Sequence, residues 1–191
     1  MATGASALPP APSTGPSPWI QRFAPLVPAG TPVLDLAAGG GRHARLFLAR
    51  GHPVTALDRD LSGLADLGAP RACEIVQADL ENGAPWPLAG RRFGAVVVVN
   101  YLWRPLLPDL VASVGAGGIL LYETFALGNE AYGRPRNPDF LLRPGELLEA
   151  VRSELQIVAY EHGLLERPRR AVKQRICALR CDRPAPLDRT W

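Results

Sequence analysis

The chain has no run approaching the roughly 20 consecutive apolar residues of a membrane span; its longest strongly apolar stretch, residues 95–99, is strand-sized. Neither a charged leader nor an apolar core opens the sequence, which reads against a secretory signal. Cysteine is scarce, with three in 191 residues, too few for a disulfide framework. Cys177 and Cys181 are four apart, a spacing that along a strand separates them by about 13 Å, beyond disulfide reach. Without a Cys/His cluster no structural zinc site is expected, and no metal at all. Lysine is almost missing: of 21 basic residues only Lys173 is not arginine, a bias that more often reflects genome base composition than a nucleic-acid surface. These absences point to one domain working in the cytoplasm with no membrane partner.

Hydrophobic residues make up 47% and charged residues 20%, a globular composition. Residues 1–18 are the exception, rich in Ala, Pro and Ser, and read as a disordered leader that cannot bury enough apolar area to offset its ordering entropy. The net charge of +3 is uneven, because residues 164–191 carry eight basic side chains against three acidic ones. Solvated charge around a terminal hairpin is the plainer reading of that stretch, with RNA or phosphate contact the alternative. The domain is expected over 19–182, with 183–191 a short tail.

Strand and helix signals alternate. A short capping helix is expected over 19–27, limited by Pro25. Strands follow at 32–37, 53–58, 72–78, 93–100 and 118–125, the fourth nearly continuous in valine, as a strand buried on both faces requires. Helices are expected at 42–50, 60–67, 104–114 and 143–153. Two last strands, 155–161 and 171–181, joined by a Gly/Pro/Arg loop, read as an antiparallel hairpin. The predicted fold is α/β, a Rossmann-like doubly wound sheet of seven strands, mostly parallel with an antiparallel C-terminal strand.

The chemistry-bearing pattern starts where the first strand ends. Asp35-Leu36-Ala37-Ala38-Gly39-Gly40-Gly41-Arg42 runs from strand to helix. Glycine there lets a ligand approach the backbone, and the free N–H groups of a helix start favour a carboxylate or phosphate. Asp58 closes the second strand 17 residues after Gly41, where a carboxylate accepts hydrogen bonds from two ribose hydroxyls. Residues 39–44 also satisfy G-x-G-x-x-A, so NAD competes for this geometry. Against NAD, the chain offers no second substrate domain; in favour of S-adenosylmethionine, Asp35 is suited to a cationic methionyl amine.

The run VLDLAAGGGRHARLFLARGHPVTALD (residues 33–58) resembles that of class I S-adenosylmethionine-dependent methyltransferases, above all the small single-domain bacterial enzymes of tellurite-resistance type. In the family pattern D-x-G-x-G-x-G, Asp35, Gly39 and Gly41 match while Ala37 replaces the first glycine. The resemblance implies that Asp58 holds the ribose and that Asp79 meets the adenine amine, with Leu80 packing or donating its backbone N–H. It places Asn100 after the fourth strand, where methyl donor meets acceptor. The final hairpin matches the family's antiparallel seventh strand. Taken alone, Asp79 reads equally as a turn-capping carboxylate, His43 as a packing or surface residue, Trp86 as a loop anchor and Trp103 as core.

Residues 122–146 leave the fifth strand on the rim of the expected crevice, and long irregular loops tend to be functional. Tyr101, Glu123, Asn129 and Arg134 are the candidate substrate contacts. Arg134 and Arg136 would clamp an anionic acceptor, or pair with Glu123 and Glu130 to pin a lid. Methyl transfer needs little acid–base machinery, because alignment of acceptor, methyl carbon and sulfur supplies most of the acceleration; no catalytic residue is assigned. The expected activity is methyl transfer to a small molecule. Nucleic acid is disfavoured, since residues 100–103 (NYLW) lack both prolines of the amino-methylating DNA enzymes. A non-catalytic nucleoside-binding protein, an RNA methyltransferase and a small NAD-binding oxidoreductase are the alternatives.

Overall fold

The computed structural model describes residues 15–68 and 72–181. The expected leader lies outside the described residues up to position 14, as does the whole tail over 183–191.

The elements in order are α1 (Pro18–Phe23), β1 (Val33–Leu36), α2 (Arg42–Ala49), β2 (Val54–Asp58), β3 (Cys73–Gln77), β4 (Phe93–Val99), α3 (Leu107–Ala112), β5 (Val114–Phe125), α4 (Glu146–Val151), β6 (Gln156–Leu165) and β7 (Ala171–Leu179). The strands form one sheet in the order β3-β2-β1-β4-β5-β7-β6. All neighbours from β3 to β5 pair in parallel, and β7 runs antiparallel to both β5 and β6. This is the doubly wound seven-stranded sheet expected from the pattern.

Alternation along each strand divides the core between the two faces. Leu34, Leu36, Val96, Val98, Leu120 and Tyr122 pack beneath α3 and α4, against Leu110 and Leu147. Val33, Ala95, Val97, Ile119 and Leu121 face α1 and α2, where Trp19, Phe23 and Phe47 cover them. All seven positions of β4 are buried, because it is central and roofed on both sides. Ser17 caps α1 by accepting from the Trp19 N–H, and the Trp19 indole N–H donates to the Ile176 carbonyl at 3.2 Å, so α1 is tied across β7.

The helical expectations shrink. Residues 60–67 form tight 3-10 turns at Ser62–Gly68 instead of an α-helix. Asp60 accepts from the Ser62 N–H, which favours a turn over continued α-helix, and Gly63 presses on the glycine loop. A Cβ on Gly63 would stand 2.8 Å from the Gly39 oxygen and from Gly40 Cα. The last helix covers only Glu146–Val151, starting after Gly145 in a left-handed conformation (φ 77°). No helix among the described residues is long and apolar enough to cross a membrane.

Candidate functional site

The chain leaves β1 through three left-handed residues, Ala37 (φ 50°), Gly39 (φ 53°) and Gly41 (φ 68°). Two of them are glycine, for which this region carries no steric penalty; Ala37 bears one. A Cβ on Gly39 or Gly40 would meet nothing within 4 Å, so this stretch of backbone borders open space. Asp58 at the end of β2 holds the loop: one carboxylate oxygen accepts from the Gly39 N–H at 2.7 Å, the other from the Asp60 N–H at 3.0 Å. Asp79, just past β3, accepts from the Glu81 N–H at 2.9 Å, and its second oxygen makes no further bond among the described residues.

Asp35 sits behind the loop. It is 1% exposed and accepts from the Ala44 N–H at 2.8 Å, which ties β1 to the first turn of α2. Burial pushes its pKa up to about 7, with the Ala44 N–H acting in the other direction. His43, also buried, accepts from the Ser17 N–H at 3.2 Å and places Nδ1 3.9 Å from Asp35. Burial first, then the Arg42 charge, lowers its pKa to about 4 and keeps it neutral.

Two adjoining hollows open at the carboxyl edge of the parallel strands. The first, about 310 Å³, is bounded by Ala37, Leu57, Asp58, Asp79, Leu80 and Tyr101. The second, about 250 Å³, lies between Asn100, Tyr101, Thr124, Phe125, Pro135 and Phe140. Glu81, Tyr101 and Phe140 border both. Position at this edge is what a doubly wound sheet dictates, because the connections diverge there to either face.

Asn100, on the wall of the second hollow, belongs to a half-buried ionic cluster. The Lys173 ammonium donates to Asn100 Oδ1 and to Glu123 Oε1, each at 2.7 Å, and lies 5.0 Å from the Phe125 ring centroid. Glu123 Oε2 accepts from the Ser17 hydroxyl at 3.1 Å and stands 3.8 Å from Arg175. Burial lowers the Lys173 pKa, and the Glu123 charge works against that shift. Asn100 is itself left-handed (φ 61°).

The structure thus gathers Ala37, Asp58, Asp79, Leu80, Asn100 and Tyr101 around the hollows, with Gly39 and Gly41 in the loop beside them. Asp35 and Glu123 lie one layer behind. Asn129 bridges the rim loop to β7: its amide donates to the Pro135 carbonyl at 3.2 Å, and its oxygen accepts from the Val172 N–H at 3.2 Å. Arg134 and Arg136 are exposed and have no partner among the described residues. The lid pairing considered for them does not form, because Lys173 takes Glu123 and the Gly128 N–H takes Glu130. The loop is pinned otherwise: Leu127 N–H donates to Leu142 at 3.0 Å, Leu142 N–H to Phe125 at 3.0 Å, and Arg104 bonds Glu146 and the carbonyls of Asp139 and Leu141. Sequence reasoning missed Ser17, Glu81, Phe125, Phe140 and Lys173. Only Lys173 left any trace, as the single lysine of an arginine-rich chain. No group of His, Cys, Asp and Glu among the described residues could hold a metal ion.

No protein-family model matches the chain, and no curated relative matches it in sequence. Solved structures do. TehB from Haemophilus influenzae superposes with a TM-score of 0.65 at 17% identity, over 85% of this chain and 61% of that one. The glycopeptide N-methyltransferase MtfA, crystallised with S-adenosyl-L-homocysteine, gives a TM-score of 0.55 at 26% identity, over 84% of this chain and 87% of that one. The 1,6-didemethyltoxoflavin-N1-methyltransferase of Burkholderia thailandensis gives 0.64 at 20% identity, over 86% and 76%. The chain therefore spans about three fifths of the TehB chain and most of the other two. Sheet order, antiparallel β7 and the hollow at the carboxyl edge together give it the fold of class I S-adenosylmethionine-dependent methyltransferases.

Proposed function

We propose that the protein is an S-adenosylmethionine-dependent methyltransferase acting on a small molecule, with one catalytic domain over 19–182. The observation that carries this reading is the first hollow, which has carboxylates at the ends of β2 and β3 and Ala37 of the glycine loop in its lining. A nucleoside fits such a lining. Each Asp58 oxygen already accepts one backbone N–H and keeps a lone pair for a ribose hydroxyl. The free oxygen of Asp79 suits an exocyclic amine, and Leu57, Ala78 and Leu80 offer an apolar bed for a flat base. Asp35 contributes negative charge from behind the loop, where a methionyl ammonium would favour its ionised form. Structures of MtfA with S-adenosyl-L-homocysteine, sinefungin and S-adenosyl-L-methionine support the choice of cofactor.

Bound there, the cofactor would supply a methyl group already activated on a cationic sulfur. The chain's own task is then alignment and exclusion of water, for which Tyr101 stands at the junction of the hollows, Asn100 lines the second, and Glu123 anchors Asn100 through Lys173. Arg134 lies outside the lining, on the exposed rim, within reach of an incoming acceptor. A cytoplasmic enzyme without a nucleic-acid partner is part of the same proposal.

Calorimetry comparing S-adenosyl-L-homocysteine with NAD tests the cofactor class. Binding of the homocysteine derivative with no heat from NAD is expected; the reverse pattern overturns the proposal. Turnover of methyl-labelled cofactor with a small-metabolite extract then separates an enzyme from a nucleoside-binding protein.

A further inference from the structure

Outside one corner of the molecule, most arginines among the described residues are paired with carboxylates: Arg45 with Asp66, Arg91 with Glu74, Arg104 with Glu146, Arg175 with Glu161 and Arg180 with Glu154. The exception lies where two loops meet. The rim loop carries Arg134 and Arg136, and the turn between β6 and β7 carries Arg167, Arg169 and Arg170. All five are exposed, and Arg134, Arg136, Arg167 and Arg169 bond no partner among the described residues.

The two loops touch. Arg169 Nη2 lies against Gly133, where a Cβ would stand 2.7 Å from it, and the Arg170 guanidinium is 5.4 Å from the Tyr132 ring centroid. Asn129, bonded to both Pro135 and Val172, ties the rim loop to the start of β7. Acidic neighbours leave the charge standing. Glu166 is taken by Arg170, Glu130 by the Gly128 N–H, and Asp139 lies beside Arg104, which bonds its carbonyl. Like charges gathered without partners repel, so the corner holds a positive potential that favours an anion.

Its place in the fold says which anion. Pro135 lines the second hollow, so its chain neighbours Arg134 and Arg136 border that hollow from the solvent side. Within the hollow the sign reverses: Glu81 is its charged lining residue, and the nearby Lys173 is already committed to Glu123 and Asn100. An anion is repelled from the interior and held at the edge. We propose that these arginines bind a phosphate or diphosphate group of the methyl acceptor at the rim, while the uncharged end that receives the methyl group enters the second hollow. The inference rests on the first hollow being the cofactor site. Guanidinium meets phosphate oxygens in bidentate pairs, and a group with more than one negative charge can satisfy several arginines at once, as a single carboxylate cannot. The phosphate takes no part in the transfer; it anchors and orients the acceptor.

Calorimetry on the whole chain saturated with S-adenosyl-L-homocysteine tests this with inorganic pyrophosphate as the probe. Pyrophosphate is expected to bind more tightly than inorganic phosphate and to weaken as salt rises. Arg134→Gln and Arg169→Gln should each weaken it at least fivefold with no change in melting temperature, since neither side chain bonds anything within the fold. Arg92→Gln removes the same charge just before β4, at the opposite, amino edge of the parallel strands, and should leave binding within twofold. No binding of pyrophosphate, a loss under fivefold in either rim variant, or an equal loss in Arg92→Gln overturns the assignment. A single-stranded uridine oligomer is the second probe. If it binds more than tenfold more tightly than pyrophosphate and the rim variants weaken it, the surface serves RNA and the small phosphorylated acceptor is refuted. A chain that binds the homocysteine derivative but not pyrophosphate refutes only this inference; a chain that fails to bind that derivative overturns the cofactor reading, and the acceptor assignment with it.

Discussion

Asp58→Ala perturbs the proposed cofactor hollow at its best-defined point. The carboxylate makes two bonds in the structure, to the Gly39 N–H at 2.7 Å and the Asp60 N–H at 3.0 Å, and in the proposed complex it takes two ribose hydroxyls as well. Hydrogen bonds to a charged group are worth about 1.5–3 kcal/mol each in net terms, and losses at one group are less than additive. Loosening the glycine loop adds a smaller cost of roughly 1 kcal/mol. The expected loss of affinity for S-adenosyl-L-homocysteine is therefore about 2–4 kcal/mol, or roughly 30- to 1,000-fold in Kd. Asp58→Asn keeps one acceptor oxygen for the Gly39 N–H and should lose about half of that free energy. Isothermal calorimetry gives the affinities, and a thermal melt of each variant confirms that the loop's loss has not unfolded the chain. An Asp58→Ala variant that melts normally and binds within threefold of the parent would refute the role given to this carboxylate.

The buried pair Asp35 and His43 makes opposing contributions to stability as pH changes. Asp35 has a folded pKa of about 7 against 3.8 for the free side chain, so the fold binds its proton more tightly and this contribution falls as pH rises from about 4 to 7. His43, at about 4 against 6.5, contributes stability above pH 6.5 that is lost as pH falls towards 4. The slopes oppose each other between pH 4 and 6.5. Asp35→Asn should leave a melting temperature that climbs with pH across that range, and His43→Gln one that declines; variants that both track the parent would show that neither group titrates as assigned. Ala37→Gly relieves a left-handed alanine (φ 50°) and should stabilise the chain by about 0.5–1 kcal/mol, raising Tm by roughly 1–4 °C. A lower Tm would mean that the alanine methyl packs usefully.

Much of this protein is encoded locally. Val33–Leu36, Val54–Asp58 and Phe93–Val99 are legible as strands because their residues suit a sheet covered on both faces. Gly39 and Gly41 are legible as a tight exit because few other residues take the left-handed conformation, and Asp58 because an acid at a strand end faces the crevice, whereas Asp79 is placed there only by the family resemblance. Local signals overstated the helices. The turn bonds of Asp60 and the close approach of Gly63 to the glycine loop compete with helical hydrogen bonding, and both depend on what the segment packs against.

The second hollow and the ionic cluster at Asn100 belong wholly to tertiary structure. Lys173 reaches Asn100 and Glu123, 73 and 50 positions away, only because β7 inserts beside β5 in the register that pairs Phe125 with Lys173 and Glu123 with Arg175. A shift of one residue would turn Lys173 to the opposite face of the sheet. Asn129, read as a substrate contact, spends its amide on Pro135 and Val172, and Arg134 and Arg136, read either as an anion clamp or as pins for a lid, stay on the loop's exposed rim. Residue type and short-range periodicity determine which segments become strands and where the chain turns. Which side chains then meet across the sheet depends on strand order and register, set by the packing of the whole core.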